Sequence, residues 1–157
     1  MTCEEKIIQK IISDFKNLEG KCIIARQKRI TIEASCDNFL DILEYVSSRL
    51  SFSMLCTITG LDLGEEIQLI YHLANDEGIV LNLKMNILKA NPVIETVIGI
   101  YQGAALYERE LVDLFGIQVK GILPGNRYPL PDSWPKGQYP LRKDWKPDML
   151  SKCGGGS

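Results

Sequence analysis

Hydrophobic and polar positions recur along this chain with two different periods. Thr2 followed by Glu5 is a capping-box pattern, and Ile7, Ile8, Ile11, Ile12, Phe15 and Leu18 then recur at helical spacing up to Gly20, predicting an amphipathic first helix. Over 21–34 the period falls to two. Residues 22–25 form a short apolar run, Gln27 and Lys28 supply a turn, and Ile30, Ile32 and Ala34 alternate with Arg29, Thr31 and Glu33, which reads as a hairpin. Asp37 is expected to cap a second helix with Phe39, Leu40, Leu43, Val46 and Leu50 on one face. Three strand-like runs follow at 54–61, 67–73 and 79–87. After Pro92, residues 93–98 read as a short helix, and a longer one starts near Gly103 and ends at Phe115, with Gly116 as its C-cap. The order αββαβββαα predicts an α+β fold: a mixed, mostly antiparallel sheet with helices on one face.

From Gly121 the pattern breaks. Six of the seven prolines lie between 124 and 147, so the segment is expected to be irregular. It nevertheless holds Trp134, Trp145, Tyr128 and Tyr139, more aromatic content than a disordered linker carries. We therefore divide the chain into an α+β core at 1–120, an ordered proline-rich arm at 121–152, and a tail at 153–157 whose Gly-Gly-Gly-Ser resembles a linker. Charge is distributed unevenly. Residues 62–113 carry nine acids and three bases, whereas 120–152 carry three acids and seven bases, so the arm suits docking on its own core or on another subunit.

Composition narrows the function. The net charge of −2 is far from the basic balance of general nucleic-acid binders, and no apolar run approaches the ~20 residues of a membrane span. Acids at the N-terminus, where a secretory or mitochondrial signal carries bases, point to the cytosol. Cysteines at 3, 22, 36, 56 and 153 and a single histidine, His72, offer no zinc or iron–sulfur spacing, so no metal or other cofactor is expected in this chain. Phosphate-cradling glycine loops are absent from the sequence as well.

Glu108, Arg109, Glu110 and Asp113 form the densest polar cluster. On a helix, Arg109 and Asp113 share a face at a spacing of four, as do Glu110 and Asp113 at three. The carboxylates, with His72, could do acid/base work. Against this, an interposed arginine lowers carboxylate pKa values, so a structural or interface ion-pair network is the expected role. A third reading is an RNA-binding α+β module using Arg142, Lys143, Lys146 and Lys152 of the arm.

The block from Tyr107 to Ile117, Tyr-Glu-Arg-Glu-Leu-Val-Asp-Leu-Phe-Gly-Ile, followed by Pro140-Leu141-Arg142-Lys143-Asp144-Trp145, resembles the family of the 30-kDa subunit of complex I, the respiratory NADH dehydrogenase. The same family includes the homologous small subunit of membrane-bound, energy-converting [NiFe] hydrogenases. Quinone-reducing members usually carry Gly-His-Pro soon after the Phe-Gly-Ile. This chain instead reads Gly121-Ile122-Leu123-Pro124-Gly125-Asn126-Arg127-Tyr128-Pro129, which favours the hydrogenase branch, formate-hydrogenlyase-like complexes included, over the 30-kDa subunit of an NADH:quinone oxidoreductase.

The resemblance implies a non-catalytic brace for the hydrogenase-like large subunit. It would sit beside iron–sulfur subunits in a peripheral arm at the inner face of the cell membrane and touch the membrane subunits only indirectly. The partners would carry the iron–sulfur clusters and, in hydrogenases, a NiFe centre. Glu108, Arg109, Glu110, Asp113, Leu114, Phe115 and Gly116 would then form the family signature and part of the subunit interface. Pro140, Leu141, Arg142, Lys143 and Asp144 would anchor the arm, and Trp134 and Trp145 would supply grip on the large subunit.

Overall fold

Five strands build the main sheet: β1 (Cys22–Arg26), β2 (Arg29–Ala34), β3 (Met54–Asp62), β4 (Glu66–Ala74) and β5 (Val80–Leu88). They lie in the order β1-β2-β5-β4-β3, antiparallel except for β2 and β5, which run parallel from Arg29↔Val80 to Ala34↔Met85. The computed structural model describes residues 1–153, so the Gly-Gly-Gly-Ser tail lies outside the described residues.

Alternation along the strands decides which face is covered. Ile30, Ile32, Ile67, Leu69, Tyr71, Leu73, Leu81 and Leu83 all point to one side and are fully buried. Over them lie α1 (Cys3–Asp14), through Ile11, and α2 (Phe39–Arg49), through Phe39, Ile42, Leu43 and Val46. The capping box of α1 forms as the sequence predicts: Thr2 Oγ1 accepts the Glu5 N–H, and Glu5 accepts the Thr2 N–H. The mixed α+β class with helices on one face agrees with the pattern of the sequence.

Three local expectations are corrected. Asp37 does not cap α2; the N-cap is Asn38, whose Oδ1 turns back to accept the Ser35 N–H and hydroxyl. Residues 93–98 do not form a helix. Val93–Glu95 is a strand, β6, paired in parallel with β7 (Gln118–Lys120): Asn91-Pro92 could start a helix, but the β-branched run of Val93, Ile94, Thr96, Val97 and Ile98 favours extended backbone. The arm is not irregular throughout, since a short helix, α4 (Asp148–Cys153), follows Pro147.

The remaining helix, α3 (Ala104–Phe115), packs beside β3. A Cβ on Gly60 would come within 2.6 Å of the Phe115 ring, so the missing side chain is what lets helix and strand approach. Gly116 ends α3 in the left-handed region at φ 71°, with its N–H returning to Val112 O.

The junction of helix α3 and the arm as candidate functional site

The polar cluster on α3 is divided by helical position. Glu108 falls on the core face and is completely buried. Its carboxylate accepts the Val97 N–H and the Thr96 hydroxyl, both at 2.7 Å, and so pins the chain just after β6. Burial pushes its pKa up, and these two hydrogen bonds only partly oppose that. The sequence expectation of a carboxylate lowered by Arg109 is therefore wrong for Glu108, because Arg109 points elsewhere. Beside Glu108 the Tyr71 hydroxyl is buried without a hydrogen-bond partner among the described residues, and burial followed by the Glu108 charge raises the phenol's pKa.

Arg109 turns under the loop that begins the arm. Its guanidinium donates to Leu123 O at 2.7 Å and to Asn126 O at 3.1 Å. Gly125 lies so close over that guanidinium that any side chain there would collide with it. The loop and α3 form a hollow of about 260 Å³, lined by Val112, Ile122, Leu123, Pro124 and Tyr128 together with Arg109 and Asp113.

Asp113 does not pair with Arg109, which corrects the second expectation from helical spacing. Its partner is Arg127 of the arm, with Nε 3.4 Å from Oδ1, while Oδ2 accepts the Leu130 N–H at 3.2 Å. Arg127 also donates to Trp134 O at 2.8 Å. Glu110, the fourth member, is partly buried and has neither hydrogen bond nor ion pair among the described residues.

The second half of the signature meets the second half of the arm. Leu114 O accepts the Leu141 N–H, and Phe115 O accepts from Arg142 Nε at 2.7 Å. The Arg142 guanidinium lies 4.9 Å from the centre of the Tyr139 ring, and that ring covers Gly116. Pro140 is partly buried between these contacts. Lys143 and Asp144 reach residues that no sequence pattern links to them: Asp62 accepts the Lys143 N–H at 2.8 Å, and Lys89 bridges Asp62 at 2.7 Å and Asp144 at 3.2 Å. Trp134 and Trp145 sit 6.0 Å apart and both donate to Gln138.

The acid/base reading finds no assembled site here. His72 lies on the uncovered face of the sheet between Thr59 Oγ1 at 2.9 Å and Asn82 Oδ1 at 2.8 Å, one residue along from Tyr71, which points to the opposite side with Glu108. The RNA reading wants stacking aromatics on that open face, and Tyr71 turns away from it. No helix among the described residues is long and apolar enough to cross a membrane.

A family model described as respiratory-chain NADH dehydrogenase, 30 Kd subunit, matches residues 32–149. The chain is 33% identical over 143 residues to a subunit of the F(420)H(2) dehydrogenase of Methanosarcina mazei, covering 89% of this chain and 90% of that one. It is 27% identical to the membrane-bound hydrogenase subunit beta of Pyrococcus furiosus, covering 99% and 94%. A solved structure of the membrane-bound sulfane sulfur reductase, an archaeal respiratory membrane complex, contains a similar chain at TM-score 0.79 and 29% identity, covering 95% of this chain and 88% of that one.

Proposed function

This chain belongs to the family of the 30-kDa subunit of respiratory-chain NADH dehydrogenase, and from that premise we propose that it is a structural subunit in the peripheral arm of a complex I-like, ion-translocating membrane oxidoreductase. In that setting it braces the hydrogenase-like large subunit, next to iron–sulfur subunits, at the inner face of the membrane. Its partners, rather than this chain, carry the iron–sulfur clusters and, in a hydrogenase, the NiFe centre.

One observation carries this reading. Three of the four polar signature residues are used inside the molecule to hold backbone: Glu108 fixes the chain after β6, while Arg109 and Asp113 fix the arm. Catalytic groups keep a face toward a substrate, whereas groups of this kind set the shape of a surface. The aromatic and proline content of the arm supplies area for an obligate contact.

Within the family the Gly121–Pro129 stretch lacks Gly-His-Pro, which supports an energy-converting hydrogenase or formate-hydrogenlyase-like complex. The resemblance to the F(420)H(2) dehydrogenase subunit favours a second reading, a dehydrogenase of the same architecture. Both are tested by isolating the intact complex from its source membrane through a tag on this chain. Recovery of a hydrogenase-like large subunit, iron–sulfur subunits and membrane subunits in fixed stoichiometry is the expected result. Hydrogen-dependent against F420-dependent electron transfer in that preparation separates the two branches. A chain recovered alone, or with RNA, would overturn the proposal.

A further inference from the structure

We infer that Glu110 is the contact through which α3 takes a cationic side chain, an arginine or lysine, from the adjoining subunit. The inference rests on the structural-subunit reading above and names the chemistry of its partner.

The polar groups around Glu110 are already engaged. Glu108 is turned into the core, Arg109 is turned under the 123–126 loop, and Asp113 is held by Arg127 and the Leu130 N–H. Glu110 alone of the four makes no hydrogen bond and no ion pair among the described residues, although it is partly withdrawn from solvent. Its sequence neighbour Arg109, the nearest cation along the chain, has its guanidinium on two carbonyl oxygens instead. A carboxylate in that position is uncompensated in the free chain. It gains most from a cation delivered from outside, because docking removes the water that now solvates it.

Its surroundings are those of a contact surface rather than of a solvated helix face. Leu106, one turn before Glu110, is 55% exposed, and Leu123 and Tyr128 of the neighbouring loop are 58% and 41% exposed. Helical spacing puts Leu106, Glu110 and Leu114 in one row, next to the row of Arg109 and Asp113 that the arm engages. An exposed apolar anchor in the same row as one unmatched charge specifies a partner more narrowly than apolar area alone. The anchor supplies burial, and the charge admits only a partner that neutralises it.

The test uses the full chain in its complex, with Glu110→Gln and Glu110→Arg compared with wild type. Since Glu110 has no internal partner, both variants should match the wild-type circular dichroism and melting temperature. The large subunit recovered with the tagged chain should fall severalfold for Glu110→Gln and by about tenfold or more for Glu110→Arg, and the loss should deepen with salt. A photo-cross-linker at Leu106 then identifies the facing peptide. Replacing its arginine or lysine by glutamate should restore recovery with Glu110→Arg. Folded variants that recover the large subunit as wild type does, or a facing peptide without a cation, would overturn the inference while leaving the structural-subunit reading intact. Failure of the wild-type chain to recover any partner would instead overturn that broader reading.

Discussion

The Asp62 carboxylate at the end of β3 accepts the backbone N–H of Lys143, 81 residues further along the chain. The same carboxylate receives Lys89 Nζ at 2.7 Å and the Gly64 N–H at 2.8 Å, so one buried side chain ties a strand end, a turn and the arm together. Replacing Asp62 by alanine leaves the Lys143 and Gly64 N–H groups without their acceptor and Lys89 with only the exposed Asp144. The expected cost is about 1–3 kcal/mol, read from urea denaturation, with arm docking lost first.

Arm docking has its own optical reporter, since both tryptophans lie in the arm. Burial raises the Asp62 pKa, but Lys89 and the N–H groups of Lys143 and Gly64 outweigh it and hold the group at about 2 against an ordinary 3.8. A depressed folded-state pKa contributes stability that is present above the unfolded value and is lost as pH falls. Tryptophan emission should therefore shift between about pH 4 and pH 2, and Asp62→Asn should abolish that step.

Glu108 has the opposite sign. Its folded-state pKa is raised, so the folded chain holds the proton more tightly, and stability falls as pH rises from the ordinary value of 4.5 through the raised one. Glutamine keeps the acceptor for the Val97 N–H and can donate to Thr96 Oγ1. Glu108→Gln should thus stay within about 1 kcal/mol of wild type near neutrality and flatten this part of the pH profile, whereas Glu108→Ala should cost about 3 kcal/mol. Thermal melts at several pH values between 4 and 8 check both.

At Gly116 two costs coincide. Alanine must adopt φ 71° and must also displace the Tyr139 ring that covers the position. Gly116→Ala should lose about 2 kcal/mol or more by chemical denaturation.

A double-mutant cycle distinguishes the two arginines that could answer Asp113. Coupling between Asp113→Ala and Arg127→Ala should be about 1 kcal/mol, and coupling between Asp113→Ala and Arg109→Ala near zero.

What could be read in the sequence was local. The Thr2–Glu5 box and the Gly116 stop each involve residues a few positions apart, so spacing alone identifies them. The strands β6 and β7 have three residues each and, among the described residues, pair only with one another, Val93 with Gln118 at a separation of 25, too short a pattern to carry a period. At the junction the same limit applied. Helical spacing offers Arg109 to Asp113, but the arm brings Arg127, and nothing near Asp62 or Lys89 in sequence announces Lys143 or Asp144. Which arginine wins is decided by a long-range contact, and the local pattern does not contain it.

The parallel pairing of β2 with β5 affects how the chain must be made. Arg29 meets Val80, so the first hairpin gains its inner neighbour only after 51 further residues have been synthesised. At about 5–20 residues per second, the apolar side of that hairpin waits several seconds on the ribosome with only helices to shield it. The non-local closure that follows is the entropically expensive step, so folding should be slow for a chain of this length and sensitive to substitutions in β5. Assembly into a larger complex then begins from a subunit whose middle strand is among the last pieces of its sheet to arrive.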